Sequence, residues 1–107
     1  MIGKFGLSFG VLALAIAGAA SGTYRVKFFE PSVIAGSELK AGEYRVAVEQ
    51  NKAIIQSGKK SVEANVKVED APEKYRATSV IYNNADGKYL VREIHIGGTH
   101  TKLVFQD

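Results

Sequence analysis

The chain has 107 residues, no cysteine and no tryptophan, with 14 basic against 11 acidic side chains. That length holds one domain, and the lack of cysteine removes both disulfides and a thiol nucleophile. The charges are interspersed, with no run longer than Lys59-Lys60, so there is no basic stripe of the kind a nucleic-acid binder carries.

The first residues divide the chain. Met1 to Lys4 is a short basic start, and residues 5–20, FGLSFGVLALAIAGAA, are almost unbroken apolar. Small residues follow, with Ala17-Gly18-Ala19 and Ala20-Ser21-Gly22 as candidate cleavage sites. This is the three-part pattern of a secretory signal peptide. The run is shorter than the roughly 20 residues of a spanning helix and is rich in Gly and Ala, which favours cleavage over a retained anchor. The expectation is a cleaved leader at 1–22, with maturation between Ala19 and Thr23, and an all-β domain at 23–107. The protein is then exported, periplasmic or extracellular, with no stable membrane insertion after cleavage. Without Lys4 the domain carries 13 basic and 11 acidic side chains.

Beyond the leader, short strands follow one another with turn residues at close spacing. TYRVKFF (23–29) alternates Tyr24, Val26 and Phe28 against Arg25 and Lys27, and EYRVAVE (43–49) does the same with Tyr44, Val46 and Val48. SVEANVKVE (61–69) puts Val62, Ala64, Val66 and Val68 on one face, a period of two that makes a strand with one wet face. KAIIQ (52–56), YRATSVIY (75–82), KYLVREIHI (88–96) and TKLVFQ (101–106) complete seven expected strands. Gln50-Asn51, Ser57-Gly58, DAPE (70–73), NADG (84–87) and Gly97-Gly98 carry turn chemistry, and only EPSVIAGSELKAG (30–42) is a long connection. The fold class expected is a small antiparallel β-sandwich or flattened barrel, rich in meanders, because a run of hairpins must hide its edges. No helix longer than a turn is expected after residue 22.

Within SELKAGEYRVAVE (37–49), Gly42, Tyr44, Val46 and Val48 match the pattern L-x-x-G-x-Y-x-V-x-V. This segment resembles the prealbumin-like sandwich modules of bacterial exported proteins, also known from carboxypeptidase regulatory regions. The resemblance implies that the glycine turns the chain into a core strand anchored by the tyrosine. The domain as a whole resembles small uncharacterised exported bacterial β-proteins, which implies an exported β-module and no particular activity.

Aligning the last three strands locates candidate sites. A four-residue NADG loop pairs Tyr82 with Tyr89, Val80 with Val91 and Arg76 with His95. A two-residue Gly97-Gly98 turn pairs His95 with His100, Glu93 with Lys102 and Val91 with Val104. One face then collects Tyr75, Ala77, Ile81, Leu90, Ile94, Ile96, Leu103 and Phe105 as core. The opposite face carries Val80, Tyr82, Tyr89, Val91 and Val104, an apolar patch that is either an association surface or a face covered by the first strand or the 30–42 loop.

The polar half of that face holds both histidines of the chain. His95 and His100, facing across the hairpin with Glu93 beside them, supply two imidazoles and a carboxylate, a common metal ligand set. Arg76 and Lys102 are expected alongside, and fixed cations oppose a bound one, so the pair is expected chiefly to stabilise the hairpin. Two facing imidazoles would also loosen the hairpin below about pH 6. Arg92 is the odd residue of the inner face. It either contacts an anionic ligand inside the fold or sits near the rim, its head in water or paired with a glutamate such as Glu63.

No Gly-x-Ser-x-Gly, paired His and Ser, or calcium-loop spacing is present, so no catalytic residue and no cofactor are assigned. The function expected is a non-catalytic exported module acting on a protein partner or on itself. The alternatives are a small barrel binding an apolar or anionic ligand, and weak metal binding through the histidine pair.

Overall fold

The structure, a computed structural model, describes residues 21–106. Those residues form nine strands and no helix: β1 (Ser21–Phe28), β2 (Ser32–Ile34), β3 (Ser37–Leu39), β4 (Gly42–Glu49), β5 (Lys52–Ser57), β6 (Lys60–Asp70), β7 (Ser79–Ala85), β8 (Lys88–His95) and β9 (Thr101–Gln106). The expected leader, 1–22, lies outside the described residues except for Ser21 and Gly22, which open β1. No helix among the described residues is long and apolar enough to cross a membrane.

The strands make one sheet in the order β1-β4-β5-β6-β9-β8-β2-β3, with β7 on the other edge of β8. The sheet is open, which settles the choice between sandwich and barrel against closure. Its period-two strands turn their apolar sides to one shared core. On β6, Val62, Ala64 and Val66 are buried while Ser61, Glu63, Asn65 and Lys67 are exposed. The same alternation buries Val26 and Phe28 on β1, Tyr44, Val46 and Val48 on β4, and Leu103 and Phe105 on β9. Ile34 and Leu39 from β2 and β3 join this cluster, as do Val91 and Ile94 from β8. Each fully buried aliphatic side chain contributes about 1.5–3 kcal/mol, and in a chain without disulfides that burial carries the fold.

Seven strands were expected and nine are present, because the long 30–42 connection is itself a small hairpin. Ser32–Ile34 pairs with Ser37–Leu39, turning at Ala35 and Gly36, whose φ values are 52° and 80°. β2 then lies parallel to β8, with Ser32 beside Tyr89 and Val33 beside Leu90. Pairing to a strand nearly sixty residues away leaves no local periodicity to read.

Gly42 begins β4 at φ 152°, a value that disfavours a side chain. Two residues on, Tyr44 is buried, its hydroxyl donating to the Lys40 carbonyl at 2.7 Å and its ring 5.3 Å from that of Phe28. A glycine-permitted turn and a tyrosine tied back across it thus fix how β4 enters the core.

Candidate functional site

β8 organises the half of the molecule in which the candidate residues lie. One edge pairs with β7 along its length. The other edge is shared, by β2 at Tyr89 and Leu90 and by β9 from Glu93 to His95. Between these two partners stand Val91 and Arg92.

The β7–β8 turn is tighter than expected. Ala85 pairs with Lys88, leaving Asp86 and Gly87 alone at the corner with φ values of 55° and 74°. Positive φ at both positions is what a two-residue type I′ turn requires, and Asp-Gly is a favoured pair for it. The pairs are therefore Asn84–Tyr89, Asn83–Leu90 and Tyr82–Val91, and then the ladder slips so that Ile81 meets Glu93. Arg92 is left without a partner, the extra residue of a β-bulge.

The bulge redistributes the faces. Val91 and Ile94 both enter the core, at 6% and 0% exposure. Ile81, expected inside, is 42% exposed, and Leu90 is only half-buried. Tyr75 is half-buried and Ala77 exposed, on a segment that is not strand. The five residues expected as one outer patch are dispersed. Val91 is core, and Val80 and Tyr82 pack against the core. Tyr89 is half-buried, its ring 5.3 Å from that of Tyr82 and edge-on to it. Val104 lies between buried Leu103 and Phe105 on β9 and points to the other side. Tyr82 also has its hydroxyl occupied: Ser32 Oγ donates to the Glu30 carbonyl at 2.8 Å, so the Tyr82 hydroxyl donates to Ser32 Oγ at 3.1 Å.

The histidines part for a related reason. Ile96 and Thr101 close the β8–β9 connection, so Gly97, Gly98, Thr99 and His100 form a four-residue loop and His95 stands opposite Lys102. The residues 71–78, expected in part as strand, clamp this loop instead. Tyr75 donates to the Thr99 carbonyl and accepts from Gly98, both at 2.8 Å, and Gly97 donates to Thr78 Oγ1 at 2.9 Å. Exposed His100 donates through Nδ1 to the Ala71 carbonyl at 3.1 Å, while its own carbonyl accepts from the Ala71 amide at 2.7 Å.

His95 is held differently. Its Nε2 donates to Glu93 Oε1 at 2.9 Å, and its ring stacks on Tyr75 with centroids 4.5 Å apart. The hydrogen bond from His95 holds the Glu93 carboxyl below the usual carboxylate range, against a smaller opposing effect of burial, with help from the Lys102 charge. Lys102 itself leans to Glu69 at 3.5 Å. His95 and His100 are therefore not a cross-strand pair, and no cluster of three metal-ligating side chains occurs among the described residues. The expected loosening below pH 6 rested on two facing imidazoles, and His95 faces Lys102 instead.

Where β2 and β9 part on the edge of β8, an open cleft of about 690 Å³ lies beside the filled core. Leu90, Val91, Phe105 and Ala64 give it apolar walls, while Arg92, Asn65, Asn83 and Gln106 supply polar groups. Glu63 on the same wall pairs with Lys52 at 3.0 Å rather than with Arg92. Arg92 is exposed and has no ion-pair partner among the described residues. The bulge, which local alternation did not reveal, is what turns Arg92 from the core to the cleft.

The sheet ends in three strands of unequal character. β1 pairs only with β4 and carries exposed Arg25 and Lys27, charges that discourage addition of another strand. β3 is three residues long. β7 pairs only with β8, runs for seven residues, SVIYNNA, and contains no charge and no proline. Compared with protein-family models, curated proteins and solved structures, the chain matches none.

Proposed function

We propose that this chain is an exported, non-catalytic association module that receives a strand of another polypeptide on the free edge of β7. The observation that carries this reading is the contrast among the three sheet ends: only β7 is both long and uncharged. Its outward backbone groups have no strand beside them among the described residues, and Ile81 offers apolar surface there. An extended segment added to such an edge gains main-chain hydrogen bonds along its whole length. The likeness of residues 37–49 to sandwich modules of exported proteins and the signal-like residues 1–22 fit the same reading. The partner surface moves from the outer apolar patch to the edge, since the patch is largely taken up by the core.

A photo-crosslinking residue at Ile81, and separately at Arg25 on the guarded edge, tests the reading in cells that make the protein. Adducts from position 81 and not from position 25 are expected. No adduct from position 81 sinks it.

A second reading rests on the cleft. Arg92, unpaired at the rim of an apolar-walled space of about 690 Å³, suits a small anion with an apolar body, within the size range of ligand sites. Decanoate titrated into labelled protein should shift the amides of Asn83, Leu90 and Arg92 together. Shifts that persist unchanged in Arg92→Ala would remove the anion contact.

A further inference from the structure

The edge of β7 has a sequence that complements itself. We infer that its partner is β7 of a second copy of this chain, paired antiparallel about a two-fold axis with Ile81 of each copy facing Ile81 of the other. This rests on the reading of β7 as an association edge, and it names the occupant.

Closed two-fold contacts are the commonest way for identical chains to associate, and they require a surface that matches its own rotated image. For two antiparallel copies of one strand, side chains that face each other must lie on the same side of the sheet. A residue therefore pairs with itself or with one an even number of places away. Centring on Ile81 pairs Ser79 with Asn83 and Val80 with Tyr82, all within β7. The outward residues Ser79, Ile81, Asn83 and Ala85 are all exposed, so the contact displaces nothing. Ile81, 42% exposed in the single copy, gains an apolar cross-strand neighbour.

Charge at the two ends of β7 suits an antiparallel second copy. With Ile81 at the centre, the segment before β7 that carries Arg76 in one copy runs toward the turn that carries Asp86 in the other, twice by symmetry. Arg76 and Asp86 are both exposed, and neither has an ion-pair partner among the described residues. Between them, residues 77–85 carry no charge to oppose the approach of an identical strand.

The lack of native cysteine makes the test clean. Either kind of antiparallel pair brings Cα atoms to about 4.5–5.5 Å, within disulfide range. On mild oxidation, purified Ile81→Cys should give a disulfide-linked dimer. Ser79→Cys and Asn83→Cys should not cross-link alone but should cross-link when mixed. In sedimentation velocity the wild type should form dimers as concentration rises. Arg76→Asp, which turns both end contacts repulsive, should weaken dimerisation about tenfold, with the melting temperature unchanged in protein dilute enough to be monomeric. Equal self-cross-linking at all three positions overturns the alignment, and a wild type that stays monomeric with no Ile81→Cys dimer overturns the second copy. In cells, an adduct from position 81 at twice the chain mass supports the proposal. An adduct of a different protein's mass overturns it while leaving β7 as the association edge, and no adduct overturns both.

Discussion

His95 donates a hydrogen bond to Glu93, two residues back on the same strand, at 2.9 Å, while Tyr75 covers its ring. Because the folded state holds Glu93 below its ordinary range, that carboxyl favours the folded protein fully above its unfolded pKa. The contribution is lost as pH falls through the lowered folded value. The share of stability that Glu93 carries should thus be level through the mildly acidic range and decline only as this carboxyl takes up its proton. In Glu93→Gln part of that acid slope should vanish, which urea unfolding at pH 7, 5, 4 and 3 will read. An acid slope that is the same in Glu93→Gln as in the wild type contradicts the account.

Gly97 touches the chain that clamps it. A Cβ at this position would lie 2.6 Å from the Thr78 nitrogen and 2.7 Å from the Ala77 carbonyl carbon, backbone atoms that cannot swing aside. Gly97→Ala should cost about 1–3 kcal/mol, as overpacking does, with amide exchange rising over residues 71–78. At Gly98 there is open space, but φ is 78°, so alanine there meets backbone strain alone. The ordering to check by denaturant midpoint is wild type, then Gly98→Ala, then Gly97→Ala.

The bulge at Arg92 makes an unusual deletion tolerable. Val91 and Ile94 are three residues apart and both buried, so removing Arg92 leaves them two apart, the spacing of an ordinary strand face. The shortened chain should fold, with a loss of about 2 kcal/mol or less. Deleting Asn65 from the unbroken alternation of β6 should instead turn part of that strand's core face outward and abolish cooperative unfolding. Thermal melts of the two deletions decide the matter, and equal damage would count against the bulge.

These relationships also show what local pattern can and cannot carry. β1, β4, β6 and β9 were legible because each alternates along most of its length against a single core, and β5 because a short apolar run stands between two turns. Asp86-Gly87 is a two-residue turn signal within NADG, and treating all four residues as loop moved every pair of the β7–β8 hairpin. The uneven spacing of Val91, Ile94 and Ile96 was the only trace of the bulge. The bonds of residues 71–78 to the Gly97–His100 loop leave no periodicity at all. The candidate site shifted because the apolar patch and the facing histidines both depended on those two turns.

Ser32 and Tyr82 give a further check. Ser32 is 1% exposed, and its hydroxyl links the Glu30 carbonyl to the Tyr82 phenol. Tyr82→Phe should cost about 1 kcal/mol, since Ser32 keeps its own acceptor. Ser32→Ala removes both bonds and should cost more. If the two variants melt together, the link is not a relay.

The parallel contact of β2 with β8 has a consequence in time. β4, β5 and β6 can pair in succession as the chain emerges, and β1 can join β4 across the intervening segment. Ser32–Ile34 must wait for Tyr89 and Leu90, which are made after every other described strand except β9. Until then Ile34 and Leu39 have no lid to become, and the N-terminal half stands with one side of its core uncovered. A chain truncated before Lys88 should therefore retain strand content in circular dichroism yet bind a hydrophobic dye that the complete chain ignores. Closure of this core belongs to β8 and β9, so the exposed interior persists for as long as synthesis takes to reach them.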